Sequence, residues 1–185
     1  MSSIAPSLKF PLLRNNFFNI DSLCMFYKSE VRMTTIFNVA AYILNITGTI
    51  TTMKLQKLAY YSQAYSLATT GYPLFNEDFQ AWRNGSVCPE LFASHRGKFL
   101  IRKGELVLPS TDKLNDNSLT DGQKILVEKI CKKFAECSDS DLSAMTHRED
   151  SWKDAYDGTN SSAICVQKIT KDSLKEYYSV HNLLK

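Results

Sequence analysis

The chain carries few of the signals that announce chemistry. Its three histidines, His95, His147 and His181, form neither H-x-x-x-H nor H-E-x-x-H, so a helical zinc site has no basis. There is no G-x-S-x-G, no G-x-G-x-x-G and no G-x-x-x-x-G-K-[ST], which leaves out a nucleophile elbow and a glycine-rich phosphate cradle. The five cysteines are odd in number and include no C-x-x-C pair. The five residues between Cys131 and Cys137 match no zinc spacing. Buried thiols in a reducing compartment are the reading, with no metal and no cofactor. No run reaches the roughly 18 apolar residues that span a bilayer, and Pro6, Lys9, Pro11 and Arg14 interrupt any secretory signal. A cytoplasmic protein is expected. Charge of one sign is also scarce: 22 basic against 19 acidic residues leave +3. A pI near 8.5 is below the value of about 9 usual for a DNA-binding domain. The short basic run from Arg96 to Lys103 reads as a solvated edge or turn rather than a phosphate patch, so nucleic acid is not an expected partner.

What is present is a globular composition, with 44% hydrophobic and 11% aromatic residues over 185 positions. A chain of this size buries roughly 70% of its unfolded surface and needs no staples. Residues 1–32 hold two prolines and no clear period. They read as an extension, mobile or an over-long gene start, ahead of a domain spanning 33–185; the rival reading is an arm that folds onto a partner through Phe17, Phe18, Met25, Phe26 and Tyr27. Apolar residues at helical spacing predict a helix from about Ile36 to Asn45, ended by Gly48. A second helix is predicted from about Thr52 to Thr69, capped by Thr51 or Thr52 and stopped by Gly71. Its buried stripe would be Leu55, Leu58, Ala59, Ser62, Tyr65 and Ala68, with Lys54, Gln56, Lys57 and Gln63 largely elsewhere.

Between Gly71 and Leu108 the helical period disappears. Phe79–Trp82 alternates weakly, a short helix can follow Pro89, and Arg102-Lys103-Gly104 suits a hairpin turn between Phe99–Ile101 and Glu105–Leu108. Thr120 and Gln123 then form a capping box before a helix burying Ile125, Leu126, Val127, Ile130, Cys131 and Phe134. Ser138–Asp141 caps the next helix, Asp150 a short one holding Trp152, and Thr170 the last. A strand over Ala163–Gln167 is possible. The expected fold is α+β and predominantly α-helical: a single compact helical domain with a small β-hairpin or short-strand insert between the second and third long helices.

Two segments concentrate functional side chains. In Ala81–Glu90, Gly85 fits a backbone angle closed to other residues and Pro89 extends Cys88, giving a rigid loop that presents Trp82, Arg83 and Asn84 with Glu90 close by. Trp and Arg dominate interface hot spots; a turn that simply buries Trp82 is the plainer alternative. In Thr146–Trp152, His147, Arg148, Asp150 and Trp152 lie together. An acid–base site with His147 oriented by Asp150, or with Cys88 as a thiol nucleophile, can be drawn from them. The plainer reading has Asp150 capping a helix, Trp152 packing inward and His147 bonding a backbone carbonyl. No catalytic residue is assigned.

The run I-T-T-M-K-L-Q-K-L-A-Y-Y-S-Q-A-Y-S-L-A-T-T-G-Y-P-L-F, from Ile50 to Phe75, resembles the signature helix of the Panacea-domain family. F-Q-A-W-R-N-G-S-V-C-P-E-L-F from Phe79 and L-S-A-M-T-H-R-E-D-S-W-K-D-A from Leu142 are similar to the family's two further blocks, in the same order. Where the family often reads G-P-V, this chain has Gly85-Ser86-Val87. The resemblance implies a helical, non-enzymatic antitoxin of the phage- and prophage-associated toxin–antitoxin systems, which neutralises a cognate toxin by direct protein–protein contact. It leaves open an adaptor that delivers the toxin to a protease; an uncharacterised hydrolase using His147 and Asp150 is the remaining alternative.

Overall fold

The computed structural model describes residues 33–109, 114, 118–156 and 167–184. Among them are seven helices and five short strands. Helix α1 (Ile36–Thr47) starts at an N-cap, Thr35, whose hydroxyl accepts from the Asn38 amide, and stops at Gly48. Strand β1 (Ile50–Thr51) leads directly into α2 (Thr52–Thr70). The Thr51 hydroxyl caps α2 at the Lys54 amide, and Gly71, left-handed at φ 80°, ends it. Strands β2 (Phe79–Trp82) and β3 (Gly85–Val87) form an antiparallel hairpin that turns at Arg83-Asn84. After α3 (Pro89–Ser94) and β4 (Leu100–Ile101) come α4 (Asp121–Lys133), α5 (Asp139–Thr146) and α6 (Asp150–Lys153). Strand β5 (Lys168–Ile169) and α7 (Lys171–Val180) complete the order. The capping box of Thr120 and Gln123 is present, as is a second one of Ser138 and Asp141. The fold is α+β and helix-dominated.

Helix α2 is the axis of the structure. It packs against α1, α4, α5, α7 and β3, so little of its circumference faces water. This corrects the one-sided stripe expected from sequence. Leu55, Leu58 and Ala59 are buried as expected, but so are Gln56, Lys57, Tyr60, Tyr61 and Gln63. A helix surrounded by neighbours has no solvent face on which to place polar residues, and each buried polar group needs an internal partner. Gln63 finds three: its Nε2 donates to the Phe75 carbonyl at 2.8 Å, and its Oε1 accepts from the Leu74 and Phe75 amides at 2.7 and 3.3 Å. The side chain thus holds the returning strand-like segment against the helix.

Three further expectations are corrected. The hairpin predicted around Arg102-Lys103-Gly104 does not form. Strand β4 instead pairs antiparallel with β1, Ile50 opposite Ile101, while the hairpin lies at β2–β3. Ile125 is exposed, because the buried face of α4, packed against α1 and α2, is made of Gln123, Leu126, Val127, Ile130 and Cys131. Asp150 is the first residue of α6, not its cap; Glu149 holds that position and caps without its side chain. The expected strand over Ala163–Gln167 lies, apart from Gln167, outside the described residues. Gln167 continues into β5, which joins β2 to make the sheet order β3-β2-β5. Among the described residues, no helix is long and apolar enough to cross a membrane.

Candidate interaction site around the hairpin

The hairpin is seated on buried polar chemistry from α2. Lys57 is 1% exposed, and its Nζ donates to the Ser86 carbonyl at 2.9 Å. Gly85 sits directly above it at φ 101°, in the region that side chains avoid. A Cβ there would overlap Lys57 Nζ, lie 3.0 Å from its Cε and 3.3 Å from Thr146 Cβ. Gln56 fixes the far end of β3: its Oε1 accepts from the Cys88 amide at 2.9 Å, and its Nε2 meets the Cys88 carbonyl at 3.3 Å and His95 Nε2 at 3.1 Å. Burial lowers the Lys57 ammonium to about 7, with the Glu149 and Asp139 carboxylates opposing that shift. Burial likewise lowers His95.

A second buried cluster lies behind the hairpin. Glu149, 4% exposed, accepts from Tyr60 at 2.6 Å and Tyr61 at 2.9 Å. The Tyr60 hydroxyl also meets Ser151 at 3.3 Å, and Tyr178 faces the same carboxylate without a direct bond. Burial raises Glu149 to about 7 against the tyrosine hydrogen bonds and the Lys57 charge, which favour its ionised form. Burial and the adjacent carboxylate drive Tyr60 and Tyr61 upward, so both stay protonated and donate to Glu149.

The two sequence blocks flanking the axis are brought together. The tip residues Arg83 and Asn84 are exposed; the Asn84 carbonyl accepts from Ser143 Oγ at 3.1 Å, and burial lowers the His147 imidazole while the nearby Arg83 backbone opposes that shift. Asp150 is exposed and pairs with Lys153 at 2.9 Å, not with His147. Trp152 is buried between His147, at 4.4 Å, and Tyr156, at 4.5 Å, and Gly85 is buried as well. Cys88 is buried, its Sγ donating to Glu90 Oε2 at 3.2 Å, and burial raises its thiol far above the range of a reactive thiolate. Trp82 is half-buried, edge-on to Phe92 at 5.1 Å and donating to Gln80 at 2.9 Å. Arg148 is exposed. Beside the hairpin, Met53, Trp82, Val87 and Phe92 wall a pocket of about 390 Å³.

Sequence reasoning missed Gln56, Lys57, Gln63, Tyr60, Tyr61 and Glu149. One signal was available. Leu58-Ala59-Tyr60-Tyr61 places four apolar or aromatic residues in succession, covering the full turn of a helix. Such a helix must be enclosed, and its polar residues enclosed with it.

Buried titratable groups lie beneath a braced hairpin with an exposed tip, and a mostly apolar pocket lies beside it. Among the described residues, no group of three or more His, Cys, Asp or Glu is placed to hold a metal ion. The family model for the antitoxin SocA-like Panacea domain matches residues 55–153, from the first turns of α2 to the end of α6. The chain belongs to this family of antitoxin-like proteins. No curated protein and no solved structure matches it.

Proposed function

We propose that the chain is an antitoxin that neutralises a cognate toxin, encoded beside it, by direct contact through the hairpin face. Trp82, Arg83, Asn84 and Glu90 form the centre of that face, with Arg148 and Asp150 on the adjoining surface. The carrying observation is the exposed Arg83-Asn84 tip, tied to α5 by Ser143 on the Asn84 carbonyl and seated beneath by Lys57 on the Ser86 carbonyl. A tip braced in this way loses little freedom when a partner docks, which favours affinity. A stable complex of this kind buries about 1,200–2,000 Å² in total. Its work is binding, carried out in the cytoplasm by residues 33–185.

The test is expression of the adjacent gene alone, with the full chain, and with a chain carrying Arg83→Glu and Asn84→Ala. Growth arrest by the neighbour alone, relief by the full chain and loss of relief by the double variant are expected. A harmless neighbour, or arrest that persists beside the full chain, refutes the antitoxin role. Full relief by the double variant moves the contact elsewhere.

A further inference from the structure

We propose that Lys57 is a positioning residue: its amine holds the β2–β3 hairpin in the shape that a partner recognises, at a cost to the stability of the fold. This rests on reading the hairpin face as the toxin-binding surface. The reason lies in the outer edge of β3. Ala81 stands opposite Ser86, and the Ala81 amide donates to the Gln167 carbonyl on the β5 side. The Ala81–Ser86 pair is therefore the one without ladder bonds, and Ser86 turns its backbone groups away from β2. A buried carbonyl so placed needs a donor from elsewhere. Three side chains meet this edge at alternate residues. Ser143 Oγ donates to the Asn84 carbonyl at 3.1 Å, and Lys57 Nζ to the Ser86 carbonyl at 2.9 Å. Gln56 spans the Cys88 amide and carbonyl at 2.9 and 3.3 Å. The edge is thus laced to α5 and α2 from the tip to the start of α3, and Lys57 is the middle tie.

Support of the fold alone does not account for a lysine here. Lys57 is 1% exposed, and among the described residues no carboxylate lies within ion-pair distance of its ammonium. Burying an ammonium in this way lowers stability, and an apolar side chain of the same length would fill the space without that loss. What such a side chain lacks is the bond to Ser86. Gly85 shows how closely the amine is fitted, since a Cβ there would overlap Lys57 Nζ. The tie supplies conformational definition: a tip held in place before contact loses less freedom on docking. A residue that breaks the local rule of burial without strengthening the fold is the kind found at functional sites.

The test compares the full chain with its Lys57→Met variant at pH 7. Urea unfolding reads stability, amide hydrogen exchange followed by NMR reads the hairpin, and titration calorimetry with the product of the adjacent gene reads binding. Gly85 and Val87 form the hydrogen-bonded pairs of β3 with β2, so their amides report on the hairpin, while the Leu58 amide reports on the buried axis. The variant should unfold at higher urea, with Leu58 exchanging no faster. Its Gly85 and Val87 amides should exchange about tenfold faster and its binding weaken about tenfold, the factor that one hydrogen bond is worth. A residue that merely supports the fold would move stability and binding in the same direction. A variant that fails to fold, that unfolds at lower urea, or whose Gly85 and Val87 amides stay as protected as in the wild type overturns the proposal. The product of the adjacent gene separates the two readings. If it binds the wild type and Lys57→Met alike, the positioning role falls and the antitoxin role stands. If it binds neither while the amides and the urea midpoint shift as expected, the antitoxin role falls and Lys57 stands as the residue that positions the hairpin.

Discussion

The substitution Lys57→Met should stabilise the protein near neutrality and destabilise it in alkali. The cost of the native lysine follows from its burial. Its ammonium is held at about 7 in the folded chain against 10.5 for the ordinary side chain. Between those values the unfolded chain carries a proton that the folded chain has released, so stability rises with pH across the window. At about 1.4 kcal/mol per pH unit the whole window amounts to on the order of 5 kcal/mol. The group is 1% exposed, so solvent screening takes little from this figure. A thioether in place of the ammonium would escape that cost but leave the Ser86 carbonyl without its donor, a loss of about 1–3 kcal/mol. The variant is therefore expected to be about 2–4 kcal/mol more stable at pH 7, equal to the wild type near about pH 9, and less stable above it. Urea unfolding followed by tryptophan fluorescence from pH 7 to 10 measures the difference directly; Trp152 reports on the core through its stacking on Tyr156. A difference that does not change with pH would refute the reasoning, because it would mean that Lys57 keeps its charge throughout.

Glu149 sets the opposite limb. Its carboxyl is raised from 4.5 to about 7, so the folded chain holds a proton the unfolded chain has lost, and stability should fall as pH rises from 4.5 to 7 and level off above. Glu149→Gln should abolish that decline in the same urea titrations run from pH 4 to 8. Gly85→Ala combines a φ of 101° with overlap on Lys57; a loss of at least about 2 kcal/mol is expected, read as a lowered Tm. Ile125→Lys, on the exposed face of α4, should change stability by less than about 0.5 kcal/mol. A larger loss would show that this face is covered.

The sequence determined what is local. Thr51, Thr120, Ser138 and Thr170 each cap a helix as their chemistry dictates, and Gly48 and Gly71 end α1 and α2. Ile169 and Leu174 are buried either side of the Thr170 cap, as a hydrophobic staple requires. The tight turn at Arg83-Asn84-Gly85 was legible from Gly85 and Pro89, and the order of the three blocks disclosed the family. Caps, stops and turns are decided within a few residues, so a single sequence contains them.

Only the tertiary structure decided what encloses what. Lys57 and Gln56 occupy positions that a two-sided helix would give to water, and became buried because α1, α4, α5, α7 and β3 surround α2. Glu149 met Tyr60 and Tyr61 across 89 and 88 positions of chain. Strand β4 chose β1, some 50 positions earlier, over the nearer segment after Gly104. Pairings of this kind depend on which surfaces remain once the helices have packed, and no local pattern records that outcome. The candidate site is built from both: an exposed tip written in its turn residues, and a buried lysine beneath it that the fold alone put there.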